Sequence, residues 1–188
     1  MRPAIALLLL AASLTGGCDR QSQPQRQAEG ANVALEAPAK PIDKLDRSHK
    51  GEAAPAFPFA DGAGKKRTLA DFRGKPVLLN LWATWCAPCV KEMPTLDALA
   101  VREGEKLQVV TISQDFDPAK VAPFFAAAKF QKLQPNIDSD VTFSTRMGVN
   151  LPTTILYDAV GAEIWRKLGD TNWASDEAAK LIAEAQIP

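Results

Sequence analysis

An almost unbroken apolar run, Val77-Leu78-Leu79-Asn80-Leu81-Trp82, leads within a few residues into Cys86-Ala87-Pro88-Cys89. A run of this kind is what a strand covered on both faces requires. Beyond the cysteines, Met93, Leu96, Leu99 and Ala100 recur at helical spacing. The segment "LQVVTI", residues 107–112, then reads as a second buried strand. Strand, helix and strand at this separation predict a βαβ unit with parallel strands and a right-handed crossover. The cysteines fall where the first strand meets the helix.

The chain has 188 residues, and its amino-terminal third is different in character. Met1 and Arg2 are followed by an uncharged apolar run from Ala4 to Leu14, then by Thr15-Gly16-Gly17 and Cys18. That order of charged, apolar and small residues is the pattern of an export signal, and the run is shorter than the ~20 residues that span a bilayer. Residues 1–18 are accordingly read as a signal peptide with a lipobox-like Cys18. Lipidation there would anchor the chain, each buried CH₂ contributing about 0.8 kcal/mol; simple cleavage of the leader is the alternative. Residues 19–54, rich in Gln, Ala, Pro, Lys and Glu and without an aromatic residue, are read as a flexible tether. The only histidine, His49, falls in that stretch and is assigned no role. Residues 55–188 form the expected single domain.

Within it, Asp117-Pro118 marks a capped helix start, with Pro123 calling for a late start or a kink. "TTILYD" and "AEIWRKL" flank Ala159-Val160-Gly161 as an antiparallel hairpin, and Ser175 caps a final helix whose Ala178, Leu181, Ile182 and Ala185 share a face. Lys and Arg number 22 and Asp and Glu 22, so charge gives no footprint for nucleic acid.

Chemistry centres on the cysteine pair. At a helix start, unpaired N–H groups and the positive end of the helix dipole favour thiolate over thiol at Cys86. Cys89, one turn on, is placed to resolve a mixed disulfide. Pro88 suits the first turn, while Pro94 lies deeper and deprives the Val90 carbonyl of its usual donor. A structural zinc would need four ligands, of which the pair supplies two. A c-type haem needs histidine where Val90 stands. A peroxiredoxin-type site would have threonine where Ala83 stands. A purely structural disulfide is the remaining bland alternative.

The order β-α-β-(α)-β-β-α, with cysteines at the first strand–helix junction, is the thioredoxin arrangement. "GKPVLLNLWATWCAPCVKEMPTLDAL", "GVNLPTTILYD" and "WASDEAAKLI" resemble the TlpA-like branch of thioredoxin-fold proteins, membrane-associated extracytoplasmic thiol–disulfide oxidoreductases. The resemblance implies an α/β, thioredoxin-like fold: a central mixed sheet flanked by helices, with an insert between the βαβ unit and a cis-proline loop. It implies that Cys86 and Cys89 are catalytic and that Trp85 flanks a docking surface. Pro152 would form the cis-proline loop, and Thr153 would line the same groove. It also implies that Glu92 influences protonation of the pair; Asn80 stands where thioredoxin has a buried aspartate, so Glu92 is the available carboxylate, with a surface glutamate of no redox role as the alternative.

No cofactor or metal is expected beyond the redox-active disulfide itself. Ala87-Pro88 between the cysteines is closer to thioredoxin's Gly-Pro than to the histidine-containing pair of strong oxidases, so a reductase is expected, with a disulfide oxidase or a copper or haem chaperone as alternatives. Implied partners are client proteins with disulfide or metal- or haem-binding cysteines, as in cytochrome c maturation or oxidase copper-site assembly, and a membrane electron donor. The expected setting is the periplasmic side of a bacterial membrane, as a monomeric inner-membrane lipoprotein.

Overall fold

The computed structural model describes residues 44–186; the leader, Cys18 and residues 19–43 lie outside the described residues. Eight strands form one mixed sheet. In chain order they are β1 (Lys44–Asp46), β2 (Phe59–Ala60), β3 (Lys66–Arg67), β4 (Val77–Trp82), β5 (Gln108–Ser113), β6 (Asn136–Ile137), β7 (Thr153–Tyr157) and β8 (Glu163–Leu168), laid side by side as β1-β8-β7-β4-β5-β6-β2-β3. β4, β5 and β6 are parallel, and the remaining pairings are antiparallel. The helices are α1 (Ala87–Glu103), α2 (Val121–Ala128), α3 (Thr142–Met147) and α4 (Asp176–Ala183). β6 and α3 make up the expected insert before the cis-proline loop.

The sheet is covered on both sides, which accounts for the unbroken β4 run. Leu78 and Trp82 face a cluster with Met93, Leu96 and Leu99 of α1 and with Trp165, Trp173 and Ile182. Val77, Leu79 and Leu81 face the opposite cluster with Phe59, Val110, Ile112, Phe143 and Tyr157. Trp82 packs against Phe124 and Phe125 of α2 at 5.0 and 5.8 Å between ring centroids. Pro123 is the third residue of α2, ahead of the positions whose N–H groups bond within the helix. A 3₁₀ turn, Pro118–Lys120, precedes α2, so the late start is what the chain adopts.

Two sequence readings are corrected. Residues 44–54 belong to the fold rather than to a tether: β1 pairs with β8 through Lys44–Leu168, Leu45–Lys167 and Asp46–Arg166, and Ala53 bridges Ala162. Main-chain hydrogen bonds hold this segment, and composition does not report them. The same correction moves His49 into the folded unit, where it lies on a half-exposed turn 3.1 Å from Glu52 Oε2.

Carboxylates close several loops. Asp97 of α1, only 8% exposed, accepts from the backbone N–H groups of Gln131, Lys132 and Leu133 at 2.9–3.1 Å. Asp138 accepts from Phe143 N at 2.8 Å, at the start of α3. Ser175 Oγ caps α4 through Ala178 N at 3.2 Å, as its position implied.

Candidate active site

β4 ends at Trp82, and a short turn delivers Cys86 as the residue immediately before α1. That turn is clamped from the neighbouring strand end. Asp115, buried after β5, accepts from Thr84 N (2.9 Å), Thr84 Oγ1 (2.6 Å) and Ser113 Oγ (2.6 Å). Cys86 and Cys89 are joined as a disulfide with an S–S distance of 2.04 Å. Cys86 keeps 6% of its surface exposed and Cys89 none, so an approaching sulfur meets Cys86 first. Pro88 is the second residue of α1, where no intrahelical N–H is required.

Trp85 stands 64% exposed beside Cys86. Phe116, one residue past the Asp115 clamp, is 75% exposed. Two large apolar side chains thus face solvent next to clamped positions at one end of the sheet. Phe116 escaped the sequence reading because an isolated aromatic in a loop carries no periodic signal.

The Leu151–Pro152 peptide is cis. It leads directly into β7, whose Thr153 is register partner of Leu81, so the proline sits at the same end of the sheet as the disulfide. The Pro152 carbonyl accepts from Gly169 N at 3.0 Å. Thr153 does not line an open groove as the resemblance implied: it is fully buried, and its hydroxyl donates to the Asn150 carbonyl within the loop.

Glu92 is not a surface residue. It lies on α1 one turn beyond Cys89, is 2% exposed, and its carboxylate accepts three N–H bonds. These come from Asn80 Nδ2 (2.8 Å), Thr171 N (3.0 Å) and Trp173 Nε1 (3.2 Å). Trp173 in turn stacks on Trp165 at 6.3 Å and 4°. Burial pushes the Glu92 pKa up from the usual 4.5 to about 7, against the lowering effect of its three donors and with a further push from Asp170. The participation of residues 171 and 173 was not readable, since 79 and 81 residues separate them from Glu92.

A raised pKa means that folded Glu92 holds its proton more tightly than unfolded Glu92. The stabilisation is complete below the unfolded value and is lost as pH rises through about 7. From that shift, this one group is expected to cost about 2–3 kcal/mol of folding free energy between pH 5 and pH 8. Urea unfolding of the oxidised protein at pH 5 and pH 8, compared with Glu92→Gln, measures it: the variant should lack that share of the decline. Parallel declines in both proteins would contradict the assignment.

A sheet of this order that carries its disulfide at the start of the first crossover helix defines the class: the chain is a thioredoxin-like thiol–disulfide oxidoreductase. Comparison with known proteins supplies the family. The family model described as Redoxin matches residues 49–182, and the chain belongs to that family. It is 36% identical over 131 residues to Thiol-disulfide oxidoreductase ResA of Bacillus cereus (strain ATCC 10987 / NRS 248), covering 69% of this chain and 75% of the relative. Thioredoxin-like protein YneN of Bacillus subtilis (strain 168) is 36% identical over 124 residues, 60% of this chain and 67% of the relative. Among solved structures, a Chlorobium tepidum chain assigned as thiol:disulfide interchange protein DsbE superposes with a TM-score of 0.64 at 26% identity, over 72% of this chain and 96% of that one. These likenesses support the TlpA-like resemblance. Among the described residues no cluster of three or more His, Cys, Asp or Glu could hold a metal ion, and no helix is long and apolar enough to cross a membrane.

Proposed function

We propose that the protein is an extracytoplasmic reductase of disulfides in client proteins, held near a bacterial membrane by lipid on Cys18. The observation that carries the direction is the Cys86–Cys89 disulfide at the start of α1 with only Ala87 and Pro88 between its cysteines. No histidine or other charged group stands there to stabilise the thiolate further and make the disulfide strongly oxidising.

In the working cycle the Cys86 thiolate attacks one sulfur of the client disulfide and forms a mixed disulfide, and the other client sulfur leaves as thiolate. Cys89 then attacks Cys86 Sγ, the second client sulfur leaves, and two electrons have passed to the client. A membrane electron donor returns the pair to the dithiol, and the disulfide is the only redox group required. Glu92, one turn from Cys89, exchanges the proton that the resolving thiol must lose. Clients are proteins whose metal- or haem-binding cysteines must be kept reduced, the need common to cytochrome c maturation and copper-site assembly.

Trp85 flanks the docking surface, while the cis-proline loop receives an extended client segment by strand addition. Consistent with this, the N–H and C=O of Leu151 make no backbone hydrogen bond among the described residues. Pro88 and Thr153 shape the same site.

Equilibration of the domain with glutathione or dithiothreitol buffers tests the direction. The midpoint is expected nearer the thioredoxin value of about −270 mV than the −120 mV or so of a strong oxidase. A midpoint of about −150 mV or higher would make the protein an oxidase instead.

A further inference from the structure

Glu92 receives its three hydrogen bonds from groups of two kinds. Thr171 N–H and Trp173 Nε1–H are donors only and cannot be reversed. Asn80 can be. Its amide is fully buried on the α1 side of β4, and both hydrogens of Nδ2 are engaged, one by Glu92 Oε1 (2.8 Å) and one by Thr154 Oγ1 (2.9 Å). Its Oδ1, equally buried, has no hydrogen-bond partner among the described residues. This orientation suits a Glu92 that is ionised and accepts only. A protonated carboxyl must donate once, and three converging donors offer it nothing to donate to.

We propose that Asn80 is a positioning residue whose amide turns over with the protonation of Glu92, donating to the carboxylate and accepting from the carboxylic acid. Rotation by half a turn about Cβ–Cγ exchanges two atoms of nearly equal size. Oδ1 then accepts from the Glu92 O–H, and it also accepts from the Thr154 hydroxyl, which serves equally as acceptor and donor. Each orientation leaves one end of the amide without a partner among the described residues, Oδ1 in the first and the two hydrogens of Nδ2 in the second, and the bond to the carboxyl decides between them. An aspartate in this place would oppose a second buried charge; a leucine would offer nothing to either state.

The remaining charged or titratable groups around the pair do not reverse in this way. Asp170 adds negative charge near Glu92 and is itself paired with Lys91 at 3.1 Å. Lys167 of β8 is register partner of Thr154 and is influenced by Asp170. Cys89 is held in the disulfide.

The proposal rests on the reading of Glu92 as the group that exchanges a proton with the cysteine pair, but its first test needs no turnover. The side-chain NH₂ resonances of Asn80 are followed in ¹⁵N-labelled oxidised protein from pH 5 to pH 9, alongside the ¹³C resonance of the Glu92 carboxyl. They should move with the same midpoint as the carboxyl. At low pH they should reach the position they hold at every pH in Glu92→Gln, whose amide mimics the protonated acid. Asn80 signals that stay fixed while Glu92 titrates would make Asn80 a permanent donor and end the proposal.

The second arm reads the reduced protein. In Asn80→Asp, two facing carboxyls retain a proton between them to higher pH, so the pH midpoint of cysteine alkylation should rise by about one unit or more. A folded Asn80→Asp protein with an unmoved midpoint also overturns the proposal, since the group at position 80 would then have no hold on the Glu92 proton. A variant that does not fold leaves the decision to the resonance titration of the unaltered protein. Neither arm depends on the redox midpoint, so failure of the reductase assignment and failure of the Asn80 assignment are separately visible.

Discussion

Replacing Cys86 with serine is expected to reduce disulfide turnover at least about a thousandfold, to the level of the uncatalysed reaction with the same reductant. The reaction passes through a covalent intermediate on that sulfur, and a hydroxyl neither ionises at neutral pH nor attacks disulfides. Cys89→Ser should lose turnover as completely, yet differ in what it leaves behind. Its Cys86 remains nucleophilic at the head of α1, while the sulfur that would release the client is gone. Stable mixed disulfides should accumulate through Cys86 and appear on non-reducing gels or by mass spectrometry, which would also identify the clients. Exposure makes the same assignment, because only Cys86 retains any. Trapping through Cys89 in the Cys86→Ser protein, with none in the converse variant, would reverse the two roles.

The second large effect concerns stability. Asp97→Ala is expected to cost about 3–4 kcal/mol, because three backbone N–H groups at residues 131–133 together lose the acceptor they have among the described residues. Those N–H groups turn the chain between α2 and β6, so their loss should be felt in the whole cooperative unit. For a domain of this size the loss corresponds to a fall in Tm of roughly 10 °C. Asp97→Asn keeps one acceptor oxygen and should lose about half as much. Denaturant unfolding at constant m-value measures the change. A loss below about 1 kcal/mol would show that water takes over the three donors. The redox midpoint should be unchanged, since Asp97 lies two turns along α1 from Cys89.

The parts of this fold that could be read in advance are those in which neighbouring residues share a job. Leu78 and Leu79 are both buried because β4 is covered on two sides, and five apolar residues in a run of six leave little else to be. Met93, Leu96 and Leu99 share one face of α1 because helical geometry repeats. Asp117 announced the 3₁₀ turn that leads into α2, and Ser175 announced α4, because a cap acts two or three residues ahead of itself.

What escaped was set by partners far away in the chain. β1 is three residues with one apolar side chain, and it is a strand only because β8 offers a free edge. Asp115 reaches back 31 residues to Thr84, and Asp97 reaches forward 34 to Gln131. Neither spacing follows from any periodicity. Glu92 was legible as a neighbour of Cys89, whereas its burial and its bonds to residues 171 and 173 depend on how the last loop packs over α1.

The position of β1 has a mechanical consequence. Tension on the chain ahead of Lys44 is met first by three residue pairs at the outer margin of the sheet. Two strands, β8 and β7, separate that margin from β4. A pull strong enough to peel β1 away would next load the bonds of residues 51–54 to the β7–β8 hairpin, so the edge yields in stages before the load reaches the strand that carries the cysteines.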